Sequence, residues 1–204
     1  MVFVDELAFY LFSLAFSSLI LAYFMSEMYF AYRKNDMDIR SRLEGLSMPI
    51  GLMGGYLLVT GVVSQFIWSL PGAYDILFFD PLVSFGLILA GLSLSIRYKT
   101  ATRYIGFLAL LFGVMTILYG VNAYLIGLSE APLEVLILFV IFGGAAIMTY
   151  PATYIMDRFP KSKRGMKLSY RAVLVTLWIL LIAGGLLAFT IGGMALPGHL
   201  ATPP

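Results

Sequence analysis

The chain has no cysteine and a single histidine, His199. The first absence excludes disulfides, thiolate catalysis and cysteine-held iron–sulfur clusters. The second excludes a haem held by two histidines of this chain. Side-chain amides are confined to Asn35, Gln65 and Asn122. Charge is scarce: Asp, Glu, Lys and Arg make up 12% of 204 residues, where a soluble domain carries about 25%. What remains offers no nucleophile beside a base, no phosphate-binding loop and no metal-ligand cluster. The sequence therefore predicts a chain that is not an enzyme and that takes no cofactor. No basic run is long enough to predict nucleic-acid binding.

What is abundant is apolar, at 61% of residues. A single core of this length cannot absorb so much apolar surface, so lipid must cover part of it. The thirteen Lys and Arg residues fall in three short stretches, Arg33 to Arg42, Arg97 to Arg103 and Arg158 to Arg171. Between them run long apolar segments. Cytoplasmic loops concentrate Lys and Arg, so this pattern predicts six spans with every odd-numbered loop inside and both termini outside. The expected fold is an all-α integral membrane bundle, multi-pass in the cell membrane. Its single domain covers 1–195, with helices at about 7–31, 48–69, 80–96, 103–128, 133–155 and 172–194. A flexible tail, 196–204, follows. Asp5 and Glu6 precede the first apolar run, which argues against a cleaved signal peptide.

Local signals refine the ends. Ser47 and Pro49 read as the cap and first turn of helix two. Asp80 and Pro81 read the same way for helix three. That leaves Ala73 to Asp80, with Ile76, Leu77, Phe78 and Phe79, lying in the outer interface or folded back over the bundle. Small residues at helical spacing predict packing seams: Gly51 with Gly55, Gly86 with Ala90, Ala109 with Gly113, and Gly184, Ala188 and Gly192. Helices two and three also echo helices four and five. Thr60-Gly61-Val62 corresponds to Tyr119-Gly120-Val121, and Asp80-Pro81-Leu82 to Ala131-Pro132-Leu133. Such an echo predicts a parallel repeat.

Polar residues inside the spans are the candidate functional groups. Tyr56, Thr60 and Ser64 stack at four-residue spacing in helix two, with Gln65 beside them. Thr116, Tyr119 and Asn122 occupy helix four. Gln65 and Asn122 come near the outer ends of parallel helices and are expected in one layer. Two readings are open. One is interhelical hydrogen bonding. The other is a constriction on a solute path lined by Tyr56, Thr60, Gln65, Tyr119 and Asn122, gated by dewetting at Phe66. Asp75 and Asp80 are candidates for proton or cation entry, with helix capping as the alternative for Asp80. Glu27 is expected near the inner headgroups, and Trp68 and Tyr154 in interfacial belts.

The stretch Met48 to Ile155 resembles an uncharacterised archaeal membrane family, domain of unknown function 981. The residues that carry the likeness are Met48-Pro49-Ile50-Gly51-Leu52-Met53-Gly54-Gly55-Tyr56, Leu70-Pro71-Gly72, Asp80-Pro81 and Tyr119-Gly120-Val121-Asn122-Ala123-Tyr124-Leu125. The resemblance implies an archaeal origin and no known activity. A fainter likeness is to acetate uptake transporters. Pro49-Ile50-Gly51-Leu52 matches the end of a motif that opens one of their helices, while Leu46 and Ser47 depart from its beginning. That likeness implies a channel or proton-linked transporter for a small solute such as a monocarboxylate. The alternative is a non-catalytic accessory or assembly subunit of a membrane complex. The expected partners are the lipid bilayer and either further copies of the chain or a membrane complex.

Overall fold

The computed structural model describes residues 6–33, 39–158 and 167–201. They form six α-helices: α1 (Glu6–Arg33), α2 (Ile39–Ile67), α3 (Tyr74–Arg97), α4 (Arg103–Leu125), α5 (Pro132–Arg158) and α6 (Leu168–Ala201). No strand occurs among the described residues. All six helices are long and apolar enough to cross a membrane. The chain is thus a multi-pass membrane protein in which side chains face either neighbouring helices or lipid. Parts of the first and third basic stretches, residues 34–38 and 159–166, lie outside the described residues.

The helices close a ring in chain order, with α6 returning to α1. Within the ring, α2 packs most extensively on α3, α4 on α5, and α1 on α6. Lipid is as apolar as a leucine side chain, so close backbone contact must hold such pairs. Glycine permits it. A Cβ placed on Gly86 would come within 2.6 Å of the Leu58 nitrogen and 3.0 Å of the Gly54 carbonyl oxygen. In the second pair, a Cβ on Gly113 would stand 2.6 Å from the Gly143 carbonyl oxygen, and the reverse contact is 2.7 Å. The two pairs related by the sequence echo therefore share one device. Of the expected seams, Gly51 does face α3, against Ser93, whereas Gly55 faces open space.

Three helix ends differ from those expected. α2 begins at Ile39, so Pro49 lies inside it. The Ser47 hydroxyl donates to the Glu44 carbonyl at 2.6 Å, and the Ser47 carbonyl accepts from Ser93 on α3 at 2.7 Å. Neither is an N-cap bond. α3 begins at Tyr74, and Asp80 and Pro81 are interior residues. Ala73 to Asp80 is not a separate flap: from Tyr74 onward it forms the first turns of α3. Leu77 and Phe79 are buried, so the apolar face of α3 runs on past the proline. Burial outweighs the one helical bond that Pro81 cannot make. Finally, α6 continues to Ala201 through Pro197, where a flexible tail was expected.

Two helices end in the same backbone motif. After α4, the Leu128 N–H bonds the Ala123 carbonyl and the Gly127 N–H bonds that of Tyr124, with Gly127 at φ +61°. After α3, Thr100 bonds Ser95 and Lys99 bonds Ile96, with Lys99 at φ +56°. Glycine suits that left-handed position; Lys99 fills it while pairing with Glu44 at 3.4 Å.

Candidate functional site

The ends of the bundle are conveniently named by their connections. The turn end carries residues 68–73 and 126–131; the basic end carries residues 98–102. Asp80 lies near the turn end. At ~1.5 Å rise per residue it stands about 25 Å from Arg97 along α3. A hydrocarbon core about 30 Å thick whose edge meets Arg97 would contain Asp80 about 5 Å from its other edge.

Three helices converge on this carboxylate. The Gln65 side-chain amide donates from α2 to Oδ1 at 2.6 Å. The Tyr119 hydroxyl donates from α4 to Oδ2 at 2.5 Å. The helix geometry explains why these residues meet. Gln65 continues the α2 seam of Gly51, Gly54 and Gly61 that faces α3. Tyr119 follows Phe112 and Thr116 on the α4 stripe turned toward the ring axis and α3. Asp80 falls on the α3 stripe of Ile76, Leu87 and Leu94, which are 43%, 40% and 55% exposed. It therefore faces outward, in the furrow between α2 and α4. Among the described residues no Lys or Arg pairs with it. Both partners are neutral side chains.

Placement divides the remaining candidates. Tyr56 and Thr60 sit on the α1 side of α2: the Tyr56 ring meets Phe9 edge-on at 6.0 Å, and Thr60 donates to the Tyr56 carbonyl at 2.7 Å. Ser64 completes that stripe by bonding the Tyr10 hydroxyl at 2.7 Å. The structure does not bring Asn122 and Gln65 together. Asn122 is exposed, and its amide donates to the Leu118 carbonyl of its own helix at 2.8 Å. Phe66 is 87% exposed and turned away from the ring, so it closes no internal path. Asp75 is buried at 1% exposure and accepts the Leu70 N–H at 3.1 Å. It shapes the α2–α3 turn. Thus the six residues expected along one path occupy the α1–α2 seam, the α2–α3–α4 furrow and the outer surface.

Inside the ring lie two apolar cavities of about 70 and 50 Å³. The larger lies toward the turn end, between α1, α3, α4 and α5. The smaller lies toward the basic end, between α1, α3, α5 and α6. Phe85 and Phe142 belong to both walls and meet edge-to-face at 6.1 Å. They partition the axis. Asp80 lines neither cavity, although Phe79 and Pro81 on either side of it line the larger.

A second carboxylate was not singled out from the sequence. Asp157 of α5 accepts the Thr102 N–H at 2.9 Å, the Thr102 hydroxyl at 2.9 Å and the Arg103 N–H at 3.0 Å. It caps the first turn of α4 from a neighbouring helix. A threonine just before a helix start, with an acid at the far end of the next helix, was the available signal. It was obscured by the basic stretches around it.

Over residues 1–202 the chain matches the family described as "Protein of unknown function (DUF981)". It belongs to that family. No curated protein and no solved structure matches it. The family gives this DUF981 chain its kinship and no activity, so any function must be argued from the furrow and the cavities.

Proposed function

We propose that this DUF981 protein is a proton-linked membrane channel or transporter for a small monocarboxylic acid, with Asp80 as its proton-carrying group. The observation that supports the reading is a carboxylate inside a span, bridged across three helices by donors that are neutral among the described residues. An ionisable group at such depth is costly and typically marks an ion or proton pathway. Among the described residues no Lys or Arg pairs with Asp80, so no ion pair has to break for a proton to reach it. The apolar cavities accept the alkyl part of such an acid and disfavour its charged form. A monocarboxylate crosses apolar space as the neutral acid, so its movement carries a proton with it.

The test is uptake of labelled acetate and butyrate into proteoliposomes under an imposed pH gradient. Uptake should follow the gradient and fall at least tenfold in Asp80→Asn. Uptake that ignores the gradient, or that survives the substitution, would sink the reading. A second reading, an accessory subunit of a membrane complex, draws on the outward direction of Asp80 and the exposure of Asn122. Polar groups on a lipid-facing surface are what a partner helix would engage. Native mass spectrometry of gently extracted protein separates the two: a stoichiometric foreign chain favours the subunit, and a homo-oligomer alone favours transport.

A further inference from the structure

We propose that the seam between α3 and α4 is a lateral entrance from the bilayer, and that the cavity behind it holds the hydrocarbon chain of a single-chain amphiphile. This extends the proposed function to the chemistry of the ligand, and binding without flux would leave it standing.

The cavity wall sets the ligand class. Ser84, Thr116 and Tyr10 bring hydroxyls to the larger cavity. Each already has a partner. Ser84 donates to the Asp80 carbonyl at 2.9 Å, Thr116 to the Phe112 carbonyl at 2.8 Å, and Tyr10 shares a hydrogen bond with Ser64. A polar solute entering there would find its own groups unmatched, which is costly. An alkyl chain would not. Two cavities stacked along the axis share Phe85, Ile88, Phe142 and Ala146 in their walls, with the Phe85–Phe142 contact between them, and form an elongated space. A ring flip at that contact would join them.

The entrance follows from where the ring is weakly closed. α3 is locked to α2, and α4 to α5, by glycine contacts along their lengths. The α3–α4 seam and the α1–α2 seam are both short by comparison, and the larger cavity lies behind the first. The α3–α4 seam is pinned near the basic end by Ile105 against Gly91. Near the turn end it is pinned by Tyr119 on Asp80 and by the Tyr74 hydroxyl on the Leu128 carbonyl at 2.7 Å. The larger cavity lies behind the stretch between these pins, lined by Ser84 and Ile88 on one side and Phe112 and Thr116 on the other. Pro81 adds a hinge. It cannot donate to the Leu77 carbonyl, so α3 lacks one helical bond beside the Asp80–Tyr119 latch. Breaking that latch loosens the seam beside the cavity, while the Tyr74–Leu128 bond and both glycine-locked pairs stay intact.

The experiment uses the full chain in liposomes with palmitic acid carrying a photoreactive diazirine in its chain. Irradiation followed by peptide mass spectrometry should place adducts on cavity residues such as Leu11, Phe112 and Phe142. Excess unlabelled palmitate should remove at least four-fifths of them. Tyr119→Phe, which loses the latch, should raise early-time cavity labelling about threefold. Ala146→Phe, which fills a position lining both cavities, should lower it at least fivefold. Adducts confined to outward residues such as Leu87 and Leu118, or not displaced by palmitate, would overturn the proposal. So would cavity labelling at the same rate in Tyr119→Phe. Should Ala146→Phe fail to fold, palmitate competition and the Tyr119 variant still decide. Cavity labelling without gradient-driven uptake would reject transport and keep the binding site.

Discussion

Asp157 at the basic end and Asp80 at the turn end each join neighbouring helices, but they do so with different donors. Asp157 receives two backbone N–H groups and one hydroxyl at the start of α4. Those amides are fixed by the helix that follows them, and the positive end of its dipole favours the negative charge. Asp80 receives only side chains, an amide and a phenol. Both can rotate away. The first arrangement holds helices in place, whereas the second can open and reclose. Similar carboxylates thus serve different ends because backbone donors cannot leave and side-chain donors can.

Substitutions can break that contrast. Asp157→Ala should cost the most, about 3 kcal/mol, because it removes charge-assisted bonds and leaves two backbone donors without acceptors. Thermal unfolding in detergent, followed by circular dichroism, would show it. A loss below that of Asp80→Asn would reverse the comparison. Thr102→Val should cost about 1 kcal/mol, the value of one hydrogen bond. Both backbone amides keep their carboxylate there, so a loss matching Asp157→Ala would mean that the hydroxyl dominates. Asp80→Asn should change stability by less, about 0.5–1 kcal/mol, since an amide oxygen still accepts one donor. Its large effect is expected on pH-dependent uptake, which makes function and folding separable at the turn end alone. The smallest effect is expected at Lys99→Gly. Relief of a left-handed backbone at a helix end should add about 0.5 kcal/mol, partly offset by losing the exposed pair with Glu44, itself worth at most about 1 kcal/mol.

The six spans were legible in the sequence because apolar runs long enough to cross a bilayer alternate with basic stretches. Their ends were less so. Asp80-Pro81 has the form of a helix start, yet Leu77 and Phe79 continue the buried face of α3 beyond it. Local propensity lost to packing. At the candidate site, Gln65, Tyr119 and Asp80 could each be named from the sequence, but that they meet could not. Spacing fixes which residues share a face of one helix, and it leaves the rotation of each helix against the next undetermined. That rotation turns Asn122 outward and brings Asp80 between the other two. Asp157 escaped notice for a related reason. Its role depends on α5 returning beside the start of α4, a tertiary fact that Thr102 and Asp157 signal only when the two helices are considered together.

The α1–α6 contact bears on the order of biosynthesis. The Ser18 hydroxyl of α1 reaches the Leu181 carbonyl at 2.8 Å, and Gly185 and Gly192 of α6 lie against the α1 backbone. Of these six helices, α1 is made before the others, yet it finds its main partner only when α6 arrives. The α2–α3 and α4–α5 pairs can form as each hairpin enters the bilayer. Until α6 is made, α1 must wait with that surface covered by lipid or by the insertion machinery, and ring closure becomes the final assembly step.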